Sequence, residues 1–227
     1  MNGILYGVGV GPGDPELMTL KAVRLIKDND IIAVPGKEPT KTVAYKIAAG
    51  AVEELKNKTL LPIYMPMTLD KEEQRRNHIE GAKTIEKYLN EGKNVVFLTL
   101  GDPTIYSTFS YIQHIVDNDG YTTELVSGIP SFCAAAARMN ISLAEWNEPL
   151  HIIPAVHKLD DKLTESGNYI LMKSGSQMQQ VKGILNQSGR NVKMVENCGM
   201  PDEHIYNSVN EIPDDAGYYS LIIAKEH

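Results

Sequence analysis

Cysteine is nearly missing from this chain. Cys133 and Cys198 are the only two; they lie far apart and form no Cys-x-x-Cys pair. Neither a disulfide framework nor a thiolate zinc site is indicated, and no metal is expected. Long apolar runs are missing too, since none approaches the roughly 20 residues that cross a bilayer. The opening stretch Met1 to Gly7 lacks the basic head and apolar run of a secretory leader. Basic residues are in deficit, with 22 Lys and Arg against 29 Asp and Glu and a net charge of -7. Neutralising phosphates takes a basic surface, so this balance argues against a general nucleic-acid binder. Internal repeats and low-complexity segments are also lacking. The expectation is a reducing, cytoplasmic setting with no membrane and no nucleic-acid partner. An anionic small molecule stays within reach, provided local cations receive it.

What is present reads as two α/β domains. The 227 residues are 42% hydrophobic and 22% charged, an ordinary globular composition long enough to bury a core. In the first part, apolar runs at Ile4–Val8, Ile31–Val34, Leu60–Tyr64, Val95–Leu100 and Glu124–Val126 alternate with helical patterns at Glu16–Lys27, Thr42–Leu55 and Lys71–Leu89. That alternation predicts a mostly parallel sheet wrapped by helices. The Lys71–Leu89 helix carries only a thin stripe of Ile79, Ala82, Ile85 and Leu89 and should lie on the surface. An Ala-rich helix over Phe132–Met139 leads to a polar stretch that ends in Pro149, the candidate linker over 145–149. Closely spaced strand signals follow at His151–Ile153, Tyr169–Met172, Val192–Val195, Ile205–Val209 and Tyr218–Ala224, with one clear helix at Gln177–Leu185. They predict a mixed sheet, giving domains over 1–145 and 146–227.

Three glycine-bearing turns fall at ends of predicted parallel strands. The first is the run Gly7 to Glu16, reading Gly-Val-Gly-Val-Gly-Pro-Gly-Asp-Pro-Glu. Dinucleotide binding needs glycines at relative positions one, three and six. From Gly7 the sixth residue is Pro12, from Gly9 it is Asp14, and the register fails. No triphosphate-type loop is present either. Asp14 also makes a good helix cap and Pro15 a good first-turn residue. The second turn is Leu100-Gly101-Asp102-Pro103, after the fourth strand, where again Asp-Pro is expected to open a helix. The third is Ser127-Gly128-Ile129-Pro130-Ser131, after the fifth, with Ser131 as a cap. Each alone is a plain turn. Together, along the carboxyl edge of one parallel sheet, they can enclose a small ligand.

In order and spacing these three segments resemble the tetrapyrrole (corrin and porphyrin) methylases over nearly the whole chain. Phe97 to Tyr111, together with the segment from Pro66 to Lys71, resembles the branch that methylates C(20) of precorrin-2 or cobalt-factor II. The Gly-Gly-Asp-Pro-Phe loop of uroporphyrinogen-III methylases differs, because Leu100 stands at its first Gly. The resemblance implies S-adenosyl-L-methionine as methyl donor, a tetrapyrrole substrate, a cleft between two domains and a homodimer. It places the donor against Pro12, Leu100, Gly101, Asp102, Ile105, Pro130, Ser131, Met172 and Cys198. The family often has Thr where Pro130 stands, so Ser131 is the remaining hydroxyl there. For Met172, packing in a strand is as good an explanation as donor contact.

Methyl transfer from a sulfonium to an electron-rich ring carbon is an in-line displacement, so alignment is the protein's main task. A base could then remove the C(20) proton. Asp102, Tyr106 and Lys173 are the candidates, with Asp102 favoured as a binder and Lys173 as a holder of a substrate carboxylate. Lys37, Lys41, Arg138, His157, Lys158 and Lys173 are the candidate cations for acetate and propionate groups, whereas Arg75 and Arg76 read as solvated. A methylase of another tetrapyrrole, a diphthine-synthase-like or ribosomal-RNA methylase, and a non-enzymatic donor-binding or tetrapyrrole-carrier protein are the rival functions.

Overall fold

Five consecutive residues, Val95 to Thr99, are buried in strand β4 because helices cover both faces of the sheet that holds it. The structure, a computed structural model, describes residues 1–66, 68–155 and 163–226. They divide into two units, Met1–Pro130 and Ser131–His227. The sequence placed the division at 145/146; packing instead groups the Ala-rich helix and the stretch after it with the second unit.

The first unit is a five-stranded parallel sheet of β1 (Ile4–Gly9), β2 (Ile31–Pro35), β3 (Thr59–Ile63), β4 and β5 (Thr122–Val126), in the order β3-β2-β4-β1-β5. Alternate residues feed two cores. Val8, Ile32, Val34, Val96 and Leu98 pack with Ala22 and Ile26 of α1 (Leu20–Asp28) and Ile47 and Ala48 of α2 (Val43–Ala51). Leu5, Ala33, Val95 and Phe97 pack on the other face with Ala82, Ile85 and Leu89 of α3 (Lys71–Asn90) and Phe109, Ile112 and Val116 of α4 (Phe109–Asn118). Helix α3 buries just its narrow stripe, as its charged sequence predicts, and Asp70 caps it by accepting from the Glu72 and Glu73 amides at 2.9 and 3.1 Å.

Two helix starts differ from the sequence reading. The helix expected over Glu16–Lys27 is a 3-10 turn, Pro15–Leu17, followed by α1. Met18 and Thr19 are extended between them, and each piece has its own cap: Asp14 accepts from Glu16 N–H at 2.9 Å, Thr19 from Ala22 N–H at 3.2 Å. Asp102-Pro103 does not open α4, which begins six residues later at Phe109. There the Ser107 hydroxyl accepts from Phe109 N–H at 3.2 Å.

The second unit begins with α5 (Ser131–Arg138), which packs against β10. Its sheet runs β6-β7-β10-β8-β9, with β6 (Leu150–Pro154) parallel to β7 (Asn168–Met172), and β10 (Ser220–Lys225), β8 (Asn191–Glu196) and β9 (His204–Tyr206) joined antiparallel. This is the expected mixed sheet. Helix α6 (Met178–Ser188) seals one face with Met178, Val181 and Leu185. The strand expected over Ile205–Val209 stops at Tyr206, because Glu211 draws Asn207 N–H and the Ser208 hydroxyl into a 3-10 turn at 2.9 and 3.1 Å. Among the described residues no helix is long and apolar enough to cross a membrane.

Candidate active site

The strand order makes β4, β1 and β5 neighbours, so the three glycine turns that follow them leave the same edge side by side. They are fused there. Val10 N–H donates to the Thr99 carbonyl at 2.9 Å, and Gly11 and Gly101 exchange amide bonds at 3.3 and 2.8 Å. Gly101 has φ +70, a left-handed turn that suits a residue without Cβ. At Gly9 a Cβ would stand 2.5 Å from the Gly101 carbonyl oxygen and 2.6 Å from the Gly128 nitrogen. At these glycines the turns thus touch backbone to backbone. Gly7, read from the sequence as part of the ligand turn, lies inside β1, and its missing side chain makes room for the Phe109 ring.

Asp102 is buried, 7% exposed, and its carboxylate is wholly engaged within this loop cluster. One oxygen accepts from Gly128 N–H at 3.0 Å, tying the second turn to the third. The other accepts from the Thr104 amide at 2.8 Å and from the Thr104 hydroxyl. The sequence offered Asp102 as a side chain that binds donor or substrate; its geometry makes it a holder of the turns. Thr19, the cap of α1, reaches the Ser127 carbonyl at 3.4 Å and ties in the third turn from the other side. Sequence reasoning missed Thr104 and Thr19, whose only signal was their place beside the glycine turns.

Around this knot Pro12 is buried, while Leu100, Ile105, Pro130 and Ser131 are half-buried. The edge therefore offers apolar side chains, one hydroxyl and closely approachable backbone. That set fits a sulfonium nucleoside, whose adenine and methyl need dry contact and whose polar edges need backbone partners. Tyr106 is 48% exposed and holds φ 48, a left-handed backbone rare for a bulky residue.

In the second unit, Met172 is half-buried at the end of β7, and Lys173 follows it at φ 60. Ser174 comes next, fully buried, its hydroxyl without a hydrogen-bond partner among the described residues. Cys198 lies in the loop after β8. Burial pushes its thiol up to about 11, the Glu203 charge adding to that and Arg138 opposing it. The loop is pinned by Glu203, which accepts from Arg138 Nε at 2.5 Å and from Gly199 N–H at 2.8 Å. Although burial acts against the charged form, those two partners hold the Glu203 carboxyl below its ordinary value.

The candidate cations divide. Lys41 is paired with Glu38 at 2.6 Å and Arg138 with Glu203. Arg75 and Arg76 are exposed on α3. Lys37 lies over the Tyr64 ring, 4.3 Å from its centroid. His157, Lys158 and Met67 of the Pro66–Lys71 segment lie outside the described residues. Among the described residues no group of three His, Cys, Asp or Glu could hold a metal.

A parallel sheet with three fused glycine turns at adjacent strand ends defines an α/β protein that takes a small ligand at its carboxyl edge. Residues 4–213 match the tetrapyrrole (corrin/porphyrin) methylases, and the chain belongs to that family. It is 37% identical to a probable cobalt-precorrin-2 C(20)-methyltransferase of Methanocaldococcus jannaschii, over 97% of this chain and 95% of that one. It is 28% identical to the cobalt-precorrin-2 C(20)-methyltransferase of Salmonella typhimurium, over 100% and 98% of the two chains. Among solved structures, a cobalt precorrin-4 methyltransferase superimposes with TM-score 0.75 at 23% identity, covering 98% of this chain and 94% of that one. A uroporphyrin-III C-methyltransferase from Thermus thermophilus, complexed with S-adenosyl homocysteine, gives TM-score 0.71 at 21% identity, over 99% and 98%. At those identities the two structures speak to the fold.

Proposed function

We propose that this chain transfers a methyl group from S-adenosyl-L-methionine to C(20) of precorrin-2 or cobalt-factor II, in cobalamin biosynthesis. The observation that carries the reading is the knot of Gly9, Gly11, Gly101 and Gly128 stapled by Asp102. It builds a rigid, backbone-lined rim in a chain that belongs to a methylase family. Full-length likeness to relatives named for C(20) methylation supports the position.

In the reaction the ring carbon attacks the donor's methyl carbon in line with the departing sulfur. A carbon–carbon bond forms, the carbon–sulfur bond breaks, and the sulfonium becomes a neutral thioether. The C(20) proton then passes to a basic side chain or to water, which restores the ring's unsaturation. Because the leaving group is good and the carbon electron-rich, holding the two reactants aligned supplies most of the acceleration.

The proposed donor contacts are the backbone and apolar faces of Pro12, Leu100, Gly101, Asp102, Ile105, Pro130 and Ser131, and from the second unit Met172 and Cys198. Asp102 acts through its carboxylate as a positioning group. Tyr106 and Lys173 are proposed as the side chains that serve the substrate, since each is held in a left-handed backbone conformation of the kind that clusters at working sites. A homodimer in the cytoplasm completes the proposal, and light scattering reads its mass.

The test incubates the protein with isotopically labelled donor and each tetrapyrrole in turn. Addition of one methyl by mass and its assignment to C(20) by carbon NMR are expected. Donor binding with no methyl transfer to either ring, or a methyl on another carbon, would remove the assignment.

A further inference from the structure

The carboxyl edge that carries the glycine turns continues past β4 to β2 and β3. Those two strands end at Pro35 and Ile63, and Gly36 N–H donates to the Ile63 carbonyl at 2.8 Å, so their ends stay paired. Gly36 takes φ +134, a conformation that side-chain-bearing residues rarely adopt. The second residue past β2 and the first past β3 then meet: the Lys37 ammonium lies 4.3 Å from the centroid of the Tyr64 ring. Both are exposed, Tyr64 by 39%.

An aromatic face attracts an ammonium and restrains it, yet leaves its charge available. A carboxylate partner would restrain it and cancel the charge. The same segment shows the contrast, since Lys41 is bonded to Glu38 at 2.6 Å. Among the described residues Lys37 makes no ion pair, in a chain with seven more acidic than basic residues. A cation that forms no ion pair among the described residues, beside a ligand edge, is suited to receive an anion from outside.

We propose that Lys37, seated on Tyr64, binds a side-chain carboxylate of the tetrapyrrole. This rests on the methylase reading above. The strand spacing makes the reach reasonable: at about 4.8 Å per strand, the ends of β2 and β3 lie about 10 and 14 Å along the edge from β1. A macrocycle presenting one meso carbon to the donor extends its acetate and propionate groups over such a distance. The lysine then sets the ring's rotation and thereby helps select which meso carbon meets the methyl.

The experiment compares Lys37→Gln, Lys37→Arg, Tyr64→Phe and Tyr64→Leu with the wild type. Cobalt-factor II is titrated into protein saturated with S-adenosylhomocysteine, and turnover is followed separately. Lys37→Gln should weaken tetrapyrrole binding roughly tenfold, flatten its salt dependence and leave donor affinity unchanged. Lys37→Arg and Tyr64→Phe should keep wild-type binding, and Tyr64→Leu should fall between. Both positions being at the surface, melting temperatures of the four variants should match, which separates the effect from misfolding. Equal tetrapyrrole affinity and salt dependence in Lys37→Gln and wild type overturn the proposal while leaving the methylase reading intact. A wild type that methylates neither tetrapyrrole overturns both.

Discussion

The carboxylate of Asp102 accepts the Gly128 amide at 3.0 Å, joining two turns that lie 26 residues apart in the chain. Its other oxygen is taken by Thr104. Asn at this position offers one carbonyl oxygen for two directions and turns an NH2 toward an N–H, so one donor is left unmet. Loss of a hydrogen bond to a buried charged acceptor costs about 1.5–3 kcal/mol. Asp102→Asn should therefore lower stability by about that amount and weaken donor binding roughly tenfold. The pH profile of its residual kcat should keep the wild-type shape. Disappearance of the acid limb with donor affinity intact would make Asp102 the base instead.

Glycine substitutions separate close approach from ordinary helix propensity. In Gly9→Ala the added carbon meets the Gly101 carbonyl oxygen at 2.5 Å, backbone that cannot swing aside. A loss of about 3 kcal/mol or more is expected, along with donor binding. Gly183 sits inside α6 with open space around a Cβ. Gly183→Ala should stabilise by about 0.5–1 kcal/mol. Denaturant midpoints of the two variants moving in the same direction would contradict this account of the knot.

The sheets were legible in the sequence because parallel strands covered on both faces are short unbroken apolar runs, as in Val95 to Leu98. The gathering of the turns was legible as well, since each follows a strand and parallel strands share a carboxyl edge. What escaped was decided by side-chain competition over long sequence separations. Asp102-Pro103 looks like a helix start, but its carboxylate is drawn to Gly128, which no local pattern contains. Gly7 looks like part of a ligand loop until Phe109 occupies its place. The Lys37 and Tyr64 pairing depends on two strand ends being neighbours, which only the order β3-β2-β4 reveals.

Ser174 gives a prediction opposite to most core substitutions. Its hydroxyl is buried and has no partner among the described residues, an arrangement that costs about 1–3 kcal/mol. Ser174→Ala removes the cost and leaves no void larger than the missing oxygen. The melting temperature should stay level or rise by a few degrees, taking about 2–8 °C per kcal/mol. A fall of several degrees would mean that the hydroxyl has a partner in solution.

Cys198 offers a chemical test of the donor contacts proposed in the second unit. With its thiol pushed up to about 11, chiefly by burial, the thiolate fraction at pH 8 is about a hundredfold below that of a thiol at the ordinary value of 9. Alkylation of Cys198 should be slow by about that factor. A folded-state value raised above the unfolded one contributes stability that is complete below about pH 9 and is lost as pH rises through about 11. Glu203→Gln removes the charge that adds to the shift and leaves Arg138 opposing it, so labelling should accelerate. Glu203 itself works in the other direction: its depressed carboxyl contributes above its unfolded value, and that contribution is lost as pH falls through the folded one. If Cys198 touches the donor, saturating S-adenosylhomocysteine should slow its labelling further and leave exposed Cys133 unaffected. Equal rates at Cys198 with and without the nucleoside would take that residue out of the donor site.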